Sequence, residues 1–232
     1  MEVSIDPIYI RPARTATEQV FESLYSAIVT LRLEPGTKVS EAEIAKRLDV
    51  SRQPVRDAFF RLSKLGFLQI RPQRGTLVTK ILPGAVLDAA FVRIALEVEC
   101  CKLAAGRITP AEISELRQLL AAQKEAAGSP DPSHFHALDE EFHHTLCRIS
   151  GHAHAWDLIL EQKAHMDRVR YLTLSARRQH DVTADHGQLV EAIASGDPAA
   201  AEAEIRRHLG TIRSDLPRVL STHPEYFDEA PE

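Results

Sequence analysis

Asp139 and His143 stand four residues apart, the spacing at which one helix carries a carboxylate and an imidazole on the same face. Such a pair suits a shared divalent cation. His186 and His208 lie far downstream, each in an apolar rhythm: Leu189 and Ile193 follow the first, while Ile205 and Leu209 flank the second. Histidines turned inward on three helices are costly to bury unless something shares their nitrogens, and a metal does so. One aspartate oxygen with three imidazole nitrogens suits zinc or nickel first and manganese or cobalt next, with room for water or a bound carboxylate. The spacing leaves a second reading open, because a lone histidine is more often a hydrogen-bonded core or surface residue than a ligand. His134, His144, His152, His154, His165, His180 and His223 take that reading, as does His136, although its place three residues before Asp139 would let it face the same pocket.

A second group of residues suits a different chemistry. Between residues 50 and 80 there are seven basic residues, Arg52, Arg56, Arg61, Lys64, Arg71, Arg74 and Lys80, against one acid, Asp57. The asymmetry extends to the halves: residues 1–81 carry 13 Lys and Arg against 9 Asp and Glu, and residues 82–232 carry 15 against 24, giving +4 and −9 within a total of −5. A short basic block on an acidic chain points to a local polyanion contact. Arg52 and Arg56 offer planar forks that match the N7 and O6 acceptors of guanine, and Gln53 suits adenine or a phosphate. Ser51, Thr76, Arg71 and Arg74 are suited to phosphate or minor-groove contact, which fixes position more than sequence. Basic helices also occur simply as solvated faces.

The elements that position these groups are legible in the caps and breakers. Thr15 and Glu18 have capping-box spacing and open a helix through Val20, Leu24, Ile28 and Leu31, which Pro35-Gly36 ends. Ser40 and Glu43 suggest a second box before a short helix with Ile44 and Leu48 inward, and Asp49-Val50 forms the turn. Ser51 then caps a third helix with Pro54 in its first turn, an apolar face of Val55, Phe59, Leu62 and Leu65, and Gly66 as its stop. Phe67 to Ile70 and Thr76 to Ile81 read as two strands around the turn Pro72-Gln73-Arg74-Gly75. A short helix, tight turn, basic helix and hairpin make a winged helix-turn-helix, whose second helix enters the major groove with its N-terminal residues against base edges.

Beyond the breakers at Leu82-Pro83-Gly84 the pattern is helical throughout, with segments expected at 85–106, 110–127, 132–149, 153–178, 182–195 and 198–220. The expected organisation is therefore an N-terminal arm over 1–14, a winged helix-turn-helix of three helices plus a β-hairpin wing over 15–81, a linker at 82–84, an all-α helical-bundle effector domain over 85–221, and a flexible tail over 222–232. The fold class is mainly α. Hydrophobic residues at 44% and charged residues at 26% exclude a wholly disordered, collagen-like or membrane-spanning chain. Cys100, Cys101 and Cys147 are an odd number without metal-type spacing, so reduced thiols and a cytoplasmic location are expected.

From about Thr17 to Ile81 the chain resembles the winged helix-turn-helix of the GntR family of bacterial transcription regulators. The resemblance rests on Leu33-Glu34-Pro35-Gly36, Ser40-Glu41, Val50-Ser51-Arg52-Gln53-Pro54-Val55-Arg56-Asp57-Ala58, Arg61-Leu62, Gly66 and Gly75. It implies that Arg52 and Arg56 read bases and that Gly75 sits at the wing tip. Some relatives carry a DNA-contacting arginine where this chain has Ala42, so contacts there are fewer or move to Lys46 or Arg47. Residues from about 85 to 218 resemble the FCD ligand-binding domain of the FadR branch, through Arg93 with Leu96-Glu97, Asp139-Glu140-Glu141-Phe142-His143, His186 through Ala192-Ile193, Gly196-Asp197, and Ala200 to His208-Leu209. This resemblance implies a divalent metal on Asp139, His143, His186 and His208, and an anionic effector, a small carboxylate metabolite met by Arg93 and Arg170. Arg168 is expected to form a surface ion pair instead.

These readings together make the chain a metabolite-responsive regulator, a repressor that binds a palindromic double-stranded DNA operator as a homodimer, with no membrane partner. The competing reading is a helical metallo-enzyme, a hydrolase or di-iron bundle, with an accessory DNA-binding segment. Glu140 to His143 has the Glu-x-x-His spacing of such bundles, but only the overlapping Glu141 to His144 repeats it. Neither a Ser/His/Asp order nor a phosphate-binding glycine motif appears, so the chain is expected not to be an enzyme.

Overall fold

The computed structural model describes residues 15–71, 73 and 75–228 of the chain. The N-terminal arm over 1–14, Arg74 and the last four residues of the tail lie outside the described residues. The chain divides into two compact units, one formed by the N-terminal residues through Ala85 together with Leu220 onward, the other by Val86–Val219.

The first unit holds α1 (Ala16–Val29), β1 (Lys38–Val39), α2 (Glu41–Arg47), α3 (Arg52–Lys64), β2 (Leu68–Arg71) and β3 (Gly75–Val78). The Thr15 hydroxyl accepts from the Glu18 amide, and the Glu18 carboxylate accepts from the Thr15 amide at 2.8 Å, so the capping box forms. Ser40 is the N-cap of α2 without a side-chain cap bond, so the second box does not form. Val20, Leu24 and Ile28 of α1, Ile44 of α2, and Val55, Phe59 and Leu62 of α3 are all buried in one core. Each such side chain contributes about 1.5–3 kcal/mol by leaving water, enough in sum to hold three short helices that would not persist alone.

The wing has a third strand that the sequence pattern did not announce. β3 pairs antiparallel with β2, Arg71 facing Gly75, and also with β1, Val39 facing Thr76, giving the order β1-β3-β2. Gly75 closes the turn at φ +92°, a left-handed conformation that favours glycine.

The tail expected to be flexible folds back instead. Pro224–Tyr226 form a 3-10 turn, Ile81 pairs with Phe227 through amide bonds from Ile81 to Tyr226 O and from Asp228 to Ile81 O, and the Phe227 ring is buried. Paired backbone and a buried ring hold a segment whose polar, proline-bearing composition reads as frayed.

The second unit is all helical: α4 (Pro83–Ala105), α5 (Pro110–Ala126), α6 (Ser133–Ile149), α7 (His154–Gln162), α8 (Ala164–Thr173), α9 (Ala176–Ala194), α10 (Pro198–Gly210) and α11 (Ile212–Thr222). Thr109 with Glu112 forms a capping box for α5, and the Asp197 carboxylate caps α10. The stretch expected as one helix over 153–178 is broken at Lys163 and again at Leu174, and the one over 198–220 at Thr211. At Lys163 the break coincides with a buried ammonium paired to Asp167 at 2.6 Å and to Glu140. At Leu174 it precedes Ser175, whose hydroxyl caps α9 by accepting from the Arg178 amide. The core is built by Val98 and Ala104 of α4, Leu116 of α5, Phe142 and Leu146 of α6, Leu189 and Ile193 of α9, and Ala201 and Ile205 of α10.

Candidate functional site

The four residues singled out by spacing and resemblance converge. One ligand atom from each of Asp139, His143, His186 and His208 lies within 4.8 Å of the others, and all four side chains are buried. α6 supplies Asp139 and His143 from consecutive turns, while α9 and α10 each supply one histidine.

The outward nitrogen of every ring is occupied, which fixes what faces inward. His143 Nδ1 meets Glu97 Oε2 at 2.5 Å, His186 Nδ1 meets Gln123 Oε1 at 2.7 Å, and His208 Nδ1 meets Asp185 Oδ2 at 3.3 Å. The Gln123 amide is itself oriented, since its nitrogen donates to the Leu138 carbonyl at 3.1 Å. All three rings therefore carry the proton on Nδ1 and turn the Nε2 lone pair to the centre. The Nε2 atoms of His186 and His208 are 3.2 Å apart, and Asp139 Oδ1 is 3.8 Å from His186 Nε2 and 4.0 Å from His143 Nε2. Asp139 Oδ1 and His143 Nε2 are buried with no hydrogen-bond partner.

Electrostatics reinforces that arrangement. Burial holds His208 down to about 4 and His186 well below the usual imidazole range, so both rings are neutral at pH 7. Burial pushes the Asp139 carboxyl up, but the Arg170 guanidinium beside it outweighs burial and holds the group well below the usual carboxylate range. A carboxylate and converging imidazole lone pairs in a dry site lack only a cation, so the residues present fit a divalent metal. Phe142 stacks on the His186 ring at 4.2 Å between centroids and closes one side with apolar surface.

His136 groups with Asp139 and Glu140, but both carboxylates are already taken, Asp139 by Arg170 and Glu140 by Lys163 and Arg170. Glu140 is not among the four residues whose ligand atoms converge, so the Glu-x-x-His spacing does not add a second carboxylate to that group.

A cleft of about 480 Å³, counted with its open mouth, reaches His208 and is lined on its polar side by Arg93, Arg170, Arg178, Thr173 and Thr211 together with one acid, Asp215. Arg93 pairs with Glu97, and its Nη2 is buried with no hydrogen-bond partner. Arg170 pairs with Asp139. Arg178, which the sequence reading passed over, donates to Thr211 Oγ1 at 2.8 Å. The overlooked signal is that α9 carries arginines and no acid in its first turn, against the helix dipole. Arg168 is not on the surface as expected: it is fully buried, its Nη2 2.9 Å from His165 Nδ1 and its Nε 3.4 Å from the Ala164 carbonyl, because it sits on the inward face of α8.

In the first unit, Arg52, Gln53 and Arg56 project into solvent from the opening turns of α3, after Ser51 as its N-cap. Gln53 donates to Asp57 at 2.9 Å, and Arg56 lies 3.4 Å from Glu41 of α2. These are weak exposed contacts that a stronger partner can displace. Arg71 is exposed and donates to Gln69. Thr76 differs from the expectation: it is the middle of three paired strands and its side chain is buried, so it presents no hydroxyl to a phosphate.

Comparison with known proteins agrees with both halves. Residues 16–78 match the description "Bacterial regulatory proteins, gntR family", and residues 88–211 match the FCD domain. Over 221 residues the chain is 34% identical to the HTH-type transcriptional repressor RspR of Escherichia coli strain K12, covering 95% of this chain and 97% of that protein. It is likewise 34% identical over 215 residues to an HTH-type transcriptional regulator in an unstable DNA locus of Streptomyces ambofaciens, covering 92% of this chain and 90% of that one. Among solved structures, Escherichia coli McbR/YncC superimposes with a TM-score of 0.77 at 20% identity over 88% of this chain and 98% of that one, a likeness of fold. The chain belongs to the GntR family, as a regulator with an FCD domain, consistent with the FadR branch. It is a transcription regulator and not an enzyme. Among the described residues no helix is long and apolar enough to cross a membrane.

Proposed function

We propose that this protein is a metal-dependent, carboxylate-responsive repressor that binds a palindromic operator as a homodimer in the cytoplasm. One observation carries the reading: three buried imidazoles whose outward nitrogens are held by Glu97, Gln123 and Asp185 aim their lone pairs, with Asp139, at a common centre. Asp139, His143, His186 and His208 would hold zinc or nickel, with manganese or cobalt as weaker fits to the donor set. The bound ion supplies Lewis acidity that attracts a carboxylate oxygen.

This chain's own residues then decide which anion is accepted. Arg93 offers its unpaired Nη2, while Arg170 and Arg178 add positive charge along the cleft. Guanidinium forks meet carboxylates in bidentate geometry, and burial strengthens the contact. An effector shifts the regulator between states only by its differential affinity for them.

Arg52, Gln53 and Arg56 form the base-reading set, Ser51 a phosphate contact, and Arg71, Arg74 and Gly75 the wing contact. One winged helix covers one half-site, and two linked copies supply the affinity and discrimination that a genome demands. Leu87 and Phe91, exposed by 45% and 69% on α4, support self-association. The relative named a repressor supports the sign of regulation.

The test is binding to DNA flanking the protein's own gene at fixed salt with excess competitor DNA. Saturable binding is expected, released by a carboxylate only when metal is present. Arg52→Ala or Arg56→Ala should weaken it by about 1–3 kcal/mol and relax sequence preference. Binding no tighter than to random DNA, with and without carboxylates, would overturn the reading.

A further inference from the structure

The three cysteines are all free and buried, but they do not share one environment. Cys101 lies in the main core of the second unit among Val98, Leu146 and Leu189, and burial pushes its thiol well above the usual range. Cys100 and Cys147 instead belong to one separate cluster with Trp156 and Ile159. Cys100 also lines an open groove with Leu96, Leu103, His152, Ala155 and Leu158. Cys101 does not line that groove.

The two helices are held side by side around this pair. Glu97 of α4 meets His143 of α6 at 2.5 Å, and Arg107, just past α4, donates to the Ser150 carbonyl just past α6 at 3.1 Å. Cys100 is three residues beyond Glu97 and Cys147 is four beyond His143, one turn along each helix in the same direction. The thiols are thus the next contact in a parallel register fixed at both ends. Cys100 is also nine residues from Phe91, about half a turn around α4 from that exposed apolar row.

We propose that Cys100 and Cys147 are a hydroperoxide-sensitive dithiol that closes to a disulfide tying α4 to α6. The neighbouring Cys147 thiol brings the Cys100 thiol down to about 7 against the opposing effect of burial, while Cys100 and burial push the Cys147 thiol up, which makes Cys100 the attacking sulfur of the pair. The Cys100 thiolate attacks the peroxide, the O–O bond breaks, and a proton completes the leaving alcohol or water, which leaves a sulfenic acid on Cys100. Cys147 Sγ then displaces that hydroxyl group. Its proton departs with it as water, and the two electrons lost by the sulfur pair are those gained by the peroxide. The bridge falls one turn beyond the Glu97–His143 contact, so the oxidation state is recorded on the helix pair that carries His143.

The experiment is exposure of the purified full-length protein to hydrogen peroxide, followed by denaturation, alkylation and peptide mass spectrometry. Alkylatable thiols should fall from three to one, with a Cys100–Cys147 linked peptide that dithiothreitol reverses and Cys101 free throughout. In Cys147→Ser the reaction should stop at a sulfenic acid on Cys100 that a dimedone probe traps, and in Cys100→Ser residue 147 should stay reduced. The conservative serine keeps the packing, and a circular dichroism spectrum matching that of the parent confirms that each variant folds. A Cys100–Cys101 bridge, a bridge between two chains through Cys100, or three retained thiols at peroxide levels that consume free cysteine would overturn the assignment.

Discussion

Gln123→Leu isolates the hydrogen-bond shell from the ligands themselves. Gln123 is fully buried on α5, touches no candidate ligand atom facing the centre, and makes two bonds: its oxygen accepts from His186 Nδ1 at 2.7 Å, and its nitrogen donates to the Leu138 carbonyl at 3.1 Å. Leucine keeps most of the volume and removes both. The His186 ring then loses the partner that fixes its tautomer and orientation, which typically costs about 10–100-fold in metal affinity, or about 1.4–2.8 kcal/mol. The metal-free chain also loses stability, because the buried Nδ1–H of His186 is left unpaired at about 1–3 kcal/mol, offset in part by apolar burial. The assay is a zinc titration in competition with a chromogenic chelator, with urea unfolding of the stripped protein alongside. Gln123→Glu is the control, since it keeps an acceptor for His186 and should bind zinc within a few-fold of wild type. A folded leucine variant that binds zinc as tightly as wild type would refute the argument that Gln123 orients a ligand.

Two further expectations follow from the structure. Arg178→Ala should weaken carboxylate binding at least several-fold while leaving zinc binding unchanged, because Arg178 lines the cleft but contacts none of the four ligands; isothermal titration of each component separates the two. Phe227→Ala removes a buried ring from a segment that Ile81 holds by backbone bonds, and should destabilise the first unit by about 3 kcal/mol, read as earlier denaturant unfolding of that unit with zinc binding retained.

The features that were legible in the sequence are those set by local chemistry. The Thr15–Glu18 box and the Asp139–His143 pair are each decided within four residues, and each forms as expected. What escaped notice depends on distant partners. β1 is two residues long, and its pairing with β3 joins residues 37 and 39 apart, so nothing near Lys38 announces a strand. The breaks at Lys163 and Leu174 carry neither glycine nor proline, and the first accompanies a buried ion pair with Glu140 from another helix. Ser40 has the residues of a capping box without its bond. Glu97, Gln123 and Asp185 orient the three histidines from three different helices, so no spacing rule links them to their rings. Arg168 reads as a surface cation because arginine usually is one, and only the packing of α8 places it inside.

The central claim is that four side chains hold one divalent ion per chain, and elemental analysis tests it most directly. Protein stripped with chelator, reloaded with zinc and dialysed should retain about one equivalent, and Asp139→Ala and His186→Ala should each retain almost none while keeping a helical circular dichroism spectrum. Equal retention by wild type and both folded variants would contradict the account.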